Sequence, residues 1–292
     1  MPKQVEIKVY NIARTVVDVR AVEKWMKFIG ADEFFEEQFN NRVQDEHCEE
    51  PRFNAIEKPC SDGALLVALA AKRCYKSFQV GMNPNITKVR KDLCDYLDNI
   101  LASGHGSVLE HAVYSFAIEN VSRVFTGEMN RHRAGWAISE GSMRFIRYDE
   151  IPYWLPTSLQ VQPGDDEGLA RRKESSQYIF DEIFEKIEDA YKELTEIWQM
   201  DESDKNFSYK KKVTSCLRRI IPMGIATGGV WTGNLRALRH VIALRTEPSA
   251  EEEIFHVFGQ IAEIMLKAEN FVFKDFKKCE SDGSFVPAYP KV

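Results

Sequence analysis

Many of the features that would place a 292-residue chain at once are missing here. No apolar run approaches the roughly 20 residues needed to span a bilayer. The opening Met1-Pro2-Lys3-Gln4-Val5-Glu6 has no apolar signal region. A membrane protein is therefore not expected, and a cytoplasmic one is. The six cysteines (Cys48, Cys60, Cys74, Cys94, Cys216 and Cys279) are scattered, and none forms a Cys-x-x-Cys pair. Zinc and dithiol chemistry are excluded on that pattern, and no metal site is expected. The His47-Cys48 pair is too small to make one. There is no Walker loop and no dinucleotide-binding Gly-x-Gly-x-x-Gly. No local Ser-His-Asp or Cys-His arrangement is evident, although such sets can be scattered. Positive charge is not in excess either: the net charge is -6, which argues against a general nucleic-acid binder.

What is present is a foldable chain with 44% hydrophobic residues, enough for one large core or two small ones. Alternation predicts strands over residues 5–12, 112–119 and 224–231. Helical spacing predicts helices over 16–29, from Ser61 to about Cys74, over 87–102, from Ser122 to the Arg131 region, over 169–200, up to Arg219, and over 233–244. Ser249-Ala250-Glu251-Glu252 has the form of a capping box opening a last helix to about Phe271. Residues 31–59 read as a short helix followed by an irregular excursion. Helices dominate a few strands, so the class is α+β. One stripe of the helix over 169–200, including Ile179, Ile183, Phe184, Ile187, Tyr191 and Leu194, fits either an oligomer interface or a core face.

The chemistry is concentrated in cations. Arg131-His132-Arg133 is followed by a loop of small and apolar residues that reaches Glu140-Gly141-Ser142-Met143-Arg144. Trp136 is large and apolar for an ordinary exposed loop. His105 and Ser107 lie on a glycine-flanked loop before Glu110-His111, where side chains can reach a ligand. Asn234, Arg236, His240 and Arg245 can line a groove, and Arg218-Arg219 sits at a helix end. Each cluster also has a plainer reading: a solvated helix end for the arginine clusters, and a structural strand entry for Glu110-His111. Together, arginines and histidines with few acids near them imply an anionic ligand, a nucleotide, held by Arg, Ser and loop amides.

These residues resemble the flavin-dependent thymidylate synthases, whose motif is Arg-His-Arg, seven or eight residues, then Ser. Here residues 134–141 intervene before Ser142, and Arg144 matches the next arginine. The 71–77 segment, the 104–111 segment, and Gly233-Asn234-Leu235-Arg236-Ala237-Leu238-Arg239-His240 with Leu244-Arg245 resemble further landmarks in family order. The resemblance implies a single domain over residues 1–292 with an insert near 31–59, and a mixed or antiparallel sheet flanked by long helices. It implies a homotetramer with sites between subunits. The activity it implies is reductive methylation of deoxyuridine monophosphate (dUMP) to dTMP. Methylene-tetrahydrofolate would give the carbon, and FAD reduced by NADPH would carry the hydride. By position, FAD would meet Ser107, Arg131, His132, Arg133, Glu140, Asn234, Arg236 and His240. The nucleotide would meet Glu128, Arg131, Glu140, Gly141, Ser142, Met143, Arg144, Arg218 and Arg245. His105 would lie near the flavin ring and the folate.

Arg245 is the candidate for stabilising charge on the pyrimidine ring. Ser142 is assigned to phosphate binding rather than nucleophilic attack, because no neighbouring base is evident. Glu128 stands where the family has Gln, Ser139 where it has Asn, Ala137 where it has Ser, and Phe145 where Tyr is common. These departures bear on the nucleotide. They keep two alternatives open: a flavoenzyme of the same fold that alkylates another pyrimidine nucleotide, and a non-catalytic flavin- or nucleotide-binding homologue.

Overall fold

The computed structural model describes residues 3–39 and 60–292. The chain runs β1 (Lys8–Arg14), α1 (Val19–Ile29), α2 (Asp32–Phe39), α3 (Asp62–Tyr75), α4 (Leu93–Ala102), a 3-10 turn (Gly106–His111), β2 (Val113–Ser122), α5 (Arg123–Met129) and β3 (Trp136–Glu140). It continues with α6 (Glu167–Ile197), α7 (Phe207–Leu217), a 3-10 turn (Arg218–Ile220), β4 (Ala226–Asn234), α8 (Leu235–Arg245), α9 (Glu252–Ala268), α10 (Asn270–Phe273), β5 (Phe276–Lys278) and β6 (Phe285–Pro287). The main sheet has the order β1-β2-β4-β3. Every neighbouring pair is antiparallel, so the α+β class holds and the sheet is antiparallel rather than mixed.

The sheet buries one face, as the alternation in β2 requires: Tyr114, Phe116 and Ile118 are buried. Phe116 sits opposite Trp231 of β4, and both are fully enclosed. Leu65 and Ala68 of α3, Leu97 of α4, Phe125 of α5, Leu238 and Ile242 of α8, and Phe258 and Ile261 of α9 complete this core. A second, smaller core gathers Ile151, Tyr153, Leu155, Phe184, Tyr191 and Ile225. The Tyr153 and Phe184 rings stack there at 4.4 Å.

Two buried carboxylates tie the elements together. Glu253 of α9 accepts from the Ser122 backbone N–H at 2.5 Å and from the Ser122 hydroxyl. Ser122 in turn caps α5. Glu269 accepts from the Ser61 hydroxyl, the cap of α3, and from the Tyr114 hydroxyl at 2.6 Å. Burial raises both carboxyl pKa values.

Several expectations are corrected. Residues 87–92 are not helical. Lys72 takes the Arg90 carbonyl at 3.0 Å, and Asp92 caps α4 by accepting from Asp95 N–H at 2.9 Å. Ser249 does not cap the last long helix. Glu251 does, accepting from the Glu253 and Ile254 backbone amides, and the helix ends at Ala268 before the separate turn α10. The segment after the Arg-His-Arg triplet is a strand, β3, where a loop was expected. The β5–β6 hairpin was not foreseen. The first strand is Lys8–Arg14, not 5–12, and the later one is Ala226–Asn234, not 224–231. On α6 the apolar stripe divides. Phe184 and Tyr191 are buried and Ile187 and Leu194 pack against the second core, whereas Ile179 and Ile183 are 59% and 47% exposed. The His47-Cys48 pair lies outside the described residues.

Candidate functional site

The Arg-His-Arg triplet follows the C-terminus of α5, where positive charge is favoured. The turn is closed by Arg131 N–H to the Glu128 carbonyl at 3.3 Å and His132 N–H to the Met129 carbonyl at 3.0 Å. Gly135 then turns with φ +77, and a Cβ there would lie 2.7 Å from Asn234 Nδ2 and 2.8 Å from Ala237 Cβ. Only glycine lets the turn close on α8 this tightly. The Gly135 carbonyl accepts from Asn234 N–H at 3.0 Å, while the Asn234 side chain caps α8 by accepting from Ala237 N–H at 2.8 Å. The first and third sequence clusters are thereby brought together.

At the far end of α8, Arg245 reaches back to the same turn. Its Nε donates to His132 Nε2 at 2.8 Å, and its guanidinium pairs with Glu128 at 3.0 Å. Glu128 also lies 3.9 Å from Arg131. The Arg245 side chain is only 17% exposed, whereas that of Arg131 is 75% exposed. Because His132 Nε2 accepts, the imidazole is neutral and carries its proton on Nδ1. Burial, then the Arg245 charge, hold its pKa below the ordinary histidine value. Arg133, Arg236 and His240 are exposed.

A second patch forms on the glycine-flanked loop. His105 precedes the 3-10 turn, Ser107 is exposed on it, and Arg236 of α8 pairs with Glu110 at 2.6 Å. A Cβ on Gly106 would meet Arg236 Nε at 3.1 Å, so the loop lies directly against the arginine. Trp136 of β3 packs edge-on to Phe258, with ring centroids 6.2 Å apart, and covers Gly233, where a Cβ would lie 2.9 Å from the indole. The indole N–H is buried without a partner.

The third patch is at the end of β3. Glu140 pairs with Arg123 at 2.9 Å, and Arg123 also donates to the Gly141 carbonyl at 2.6 Å. Gly141 N–H donates to the Gly228 carbonyl at 2.8 Å. One Glu140 oxygen and Arg123 Nε remain buried and unpartnered. The Ser142 hydroxyl accepts weakly from Arg144 N–H at 3.4 Å, Met143 packs against the second core, and Arg144 is exposed. Arg218, in its 3-10 turn, makes no side-chain bond to any of these groups among the described residues.

Sequence reasoning missed Arg123, which fixes both Glu140 and Gly141. The available signal was a lone arginine directly after the capping Ser122. Among the described residues no group of three or more His, Cys, Asp or Glu side chains could hold a metal. No helix among them is long and apolar enough to cross a membrane.

Residues 58–269 match the family model Thy1, described as thymidylate synthase complementing protein, and the chain belongs to that family. Relatives carrying the name flavin-dependent thymidylate synthase are similar to it over most of its length. That of Mycolicibacterium gilvum is 31% identical over 231 residues, covering 78% of this chain and 86% of the relative. That of Corynebacterium diphtheriae is 27% identical over 238 residues, covering 81% and 88%. A UMP/dUMP methylase of Streptomyces cacaoi, crystallised with 5-Br dUMP, shares the fold with a TM-score of 0.55 at 16% identity, covering 93% of this chain and 95% of that one.

Proposed function

We propose that the chain is a flavin-dependent thymidylate synthase, one catalytic unit over its whole length. It converts dUMP to dTMP with methylene-tetrahydrofolate as carbon donor and NADPH as reductant, in the cytoplasm. The observation that carries this reading is the return of Arg245 to the Arg-His-Arg turn, 113 residues from His132 in sequence. A guanidinium held there, partly shielded from water and always charged, suits a developing negative charge on a pyrimidine ring. His132 accepts from it and keeps its plane fixed. Ser142 and Arg144 offer a hydroxyl and an exposed cation to a phosphate. Ser142 has no base placed to deprotonate it among the described residues, which supports binding over nucleophilic attack.

FAD fits the donor set. Arg133 and His240 are exposed without a carboxylate partner among the described residues, Asn234 packs against Gly135 of the turn, and Arg236 packs against Gly106 between His105 and Ser107. FAD bound there supplies hydride chemistry that amino acids lack. The residues themselves would bind and orient it, Arg131, His132, Arg133 and Glu140 among them. The patches of one chain stand open to solvent. The exposed Tyr178, Ile179 and Ile183 of α6 supply an apolar face for subunit contact. Both features support a homotetramer with sites between subunits.

The direct check on the cofactor is the visible absorption of the purified or FAD-reconstituted protein. A flavin band bleached by NADPH is expected. A colourless protein that cannot be reconstituted would end the proposal.

A further inference from the structure

A cavity of about 240 Å³ lies between α3, the 77–92 connection and α4, lined by Lys72, Tyr75, Ser77, Lys88, Arg90, Tyr96 and His105 among others. No carboxylate lines it. Lys72 is fully buried. Its ammonium donates to the Arg90 carbonyl at 3.0 Å and lies 4.3 Å from the centre of the Tyr96 ring. Burial, then the Arg90 charge, push its pKa down to about 8. The Ser77 hydroxyl is buried and forms no hydrogen bond of normal geometry, with the Tyr96 hydroxyl as a looser polar neighbour. Lys88 and Arg90 have no ion-pair partner among the described residues. Glu37, the acid that α2 brings nearby, is already paired with Lys91. Three cations around one small space with no carboxylate in its wall favour an anion among them.

The cavity also has a direction. Its wall includes His105, whose ring meets Tyr75 edge-on with centroids 5.6 Å apart. From His105 the chain passes straight to Gly106 against Arg236, at the site described above. We propose that this cavity binds the oxyanion end of a co-substrate whose reactive end lies beyond His105, with Lys88 and Arg90 as the gripping cations, Ser77 as a hydroxyl donor, and Lys72 holding the wall and lending its charge. The inference rests on the functional reading for the identity of that co-substrate. Two sources share the chemistry: the ribose phosphate of the nicotinamide reductant and the glutamate carboxylates of the folate. The volume suits a phosphate with its sugar or a short carboxylate chain, not a whole nucleotide.

The test is titration calorimetry of the FAD-loaded protein with adenosine 2′,5′-bisphosphate in one arm and tetra-γ-glutamate in the other. Each arm is repeated on the variants Lys88→Ala and Arg90→Ala. Both side chains are exposed, so the fold is not at stake. At least one probe is expected to bind, and each variant to weaken it about tenfold, the loss of one charge-assisted contact. Affinity for dUMP should stay unchanged. The probe that binds identifies the source. Failure of both probes to bind, or binding indifferent to both variants, would overturn the inference. Because the readout is binding, a protein that makes no dTMP yet holds a probe through Arg90 would separate this inference from the functional reading.

Discussion

At the scale of single residues, the Glu128–Arg245–His132 set decides most. Arg245→Ala removes the cation from the proposed ring edge but leaves the exposed arginines and Asn234 in place. Turnover is expected to fall about 10²–10³-fold, the usual cost of losing one charge-stabilising group, while FAD occupancy read from absorbance changes little. Equal loss of both would place Arg245 in cofactor binding instead. Glu128 holds an anion between two arginines before any ligand arrives. Replacing it with Gln frees part of their charge, so the KM for dUMP should drop several-fold. An unchanged KM would put Glu128 outside the nucleotide's reach. His132 sets an acid limit. Held below its ordinary pKa, it is neutral in the fold while the unfolded chain still takes up a proton below the ordinary value near 6.5. Its stabilising contribution is therefore complete above that value and is lost as pH falls from there through the folded pKa. Protonation also removes the acceptor for Arg245. NMR titration of the imidazole should give a midpoint below the ordinary value, lower still in Glu128→Gln because that carboxylate favours the charged ring. A midpoint at or above the ordinary value would contradict the bond to Arg245.

At the scale of elements, the link between α9 and α5 carries the turn that presents these residues. Glu253→Ala would leave the Ser122 N–H buried without its acceptor, at a cost of about 1–3 kcal/mol. Chemical denaturation should show that loss as a lower midpoint, and a change below about 0.5 kcal/mol, the size of an ordinary surface effect, would show the link to be dispensable. Much at this scale could be read in advance. Ser61 and Ser122 mark helix starts, and the alternation over 112–119 marks the strand β2. What escaped reading was set by distant partners. β3 is five residues long and owes its pairing to β4: Gly229 has no side chain to keep the Ser139 carbonyl away, since a Cβ there would lie 2.4 Å from it. Residues 87–92 have helical spacing, yet Lys72, buried from α3, claims the Arg90 carbonyl. The cap at Glu251 competes with a better-looking serine two residues earlier, and local pattern does not choose between them.

At the scale of the molecule, an acidic chain sets Arg236 near the start of α8 against the Gly106 loop and Arg245 at its end against the turn after α5. No spacing rule places Arg245 against His132, because the contact depends on where β4 and α8 cross the sheet. Arg123 and the cavity beside Lys72 were equally silent, since single cations in apolar surroundings acquire meaning only from their partners in space. The exposed apolar face of α6 belongs to this scale too, as does the openness of the single-chain patches. The central claim is that these patches together perform one reaction. It is tested most directly by incubating the FAD-loaded protein with dUMP, methylene-tetrahydrofolate and NADPH and measuring dTMP by chromatography. The account predicts dTMP formation that depends on all three substrates. A flavin-bound protein that oxidises no NADPH and forms no dTMP would contradict it.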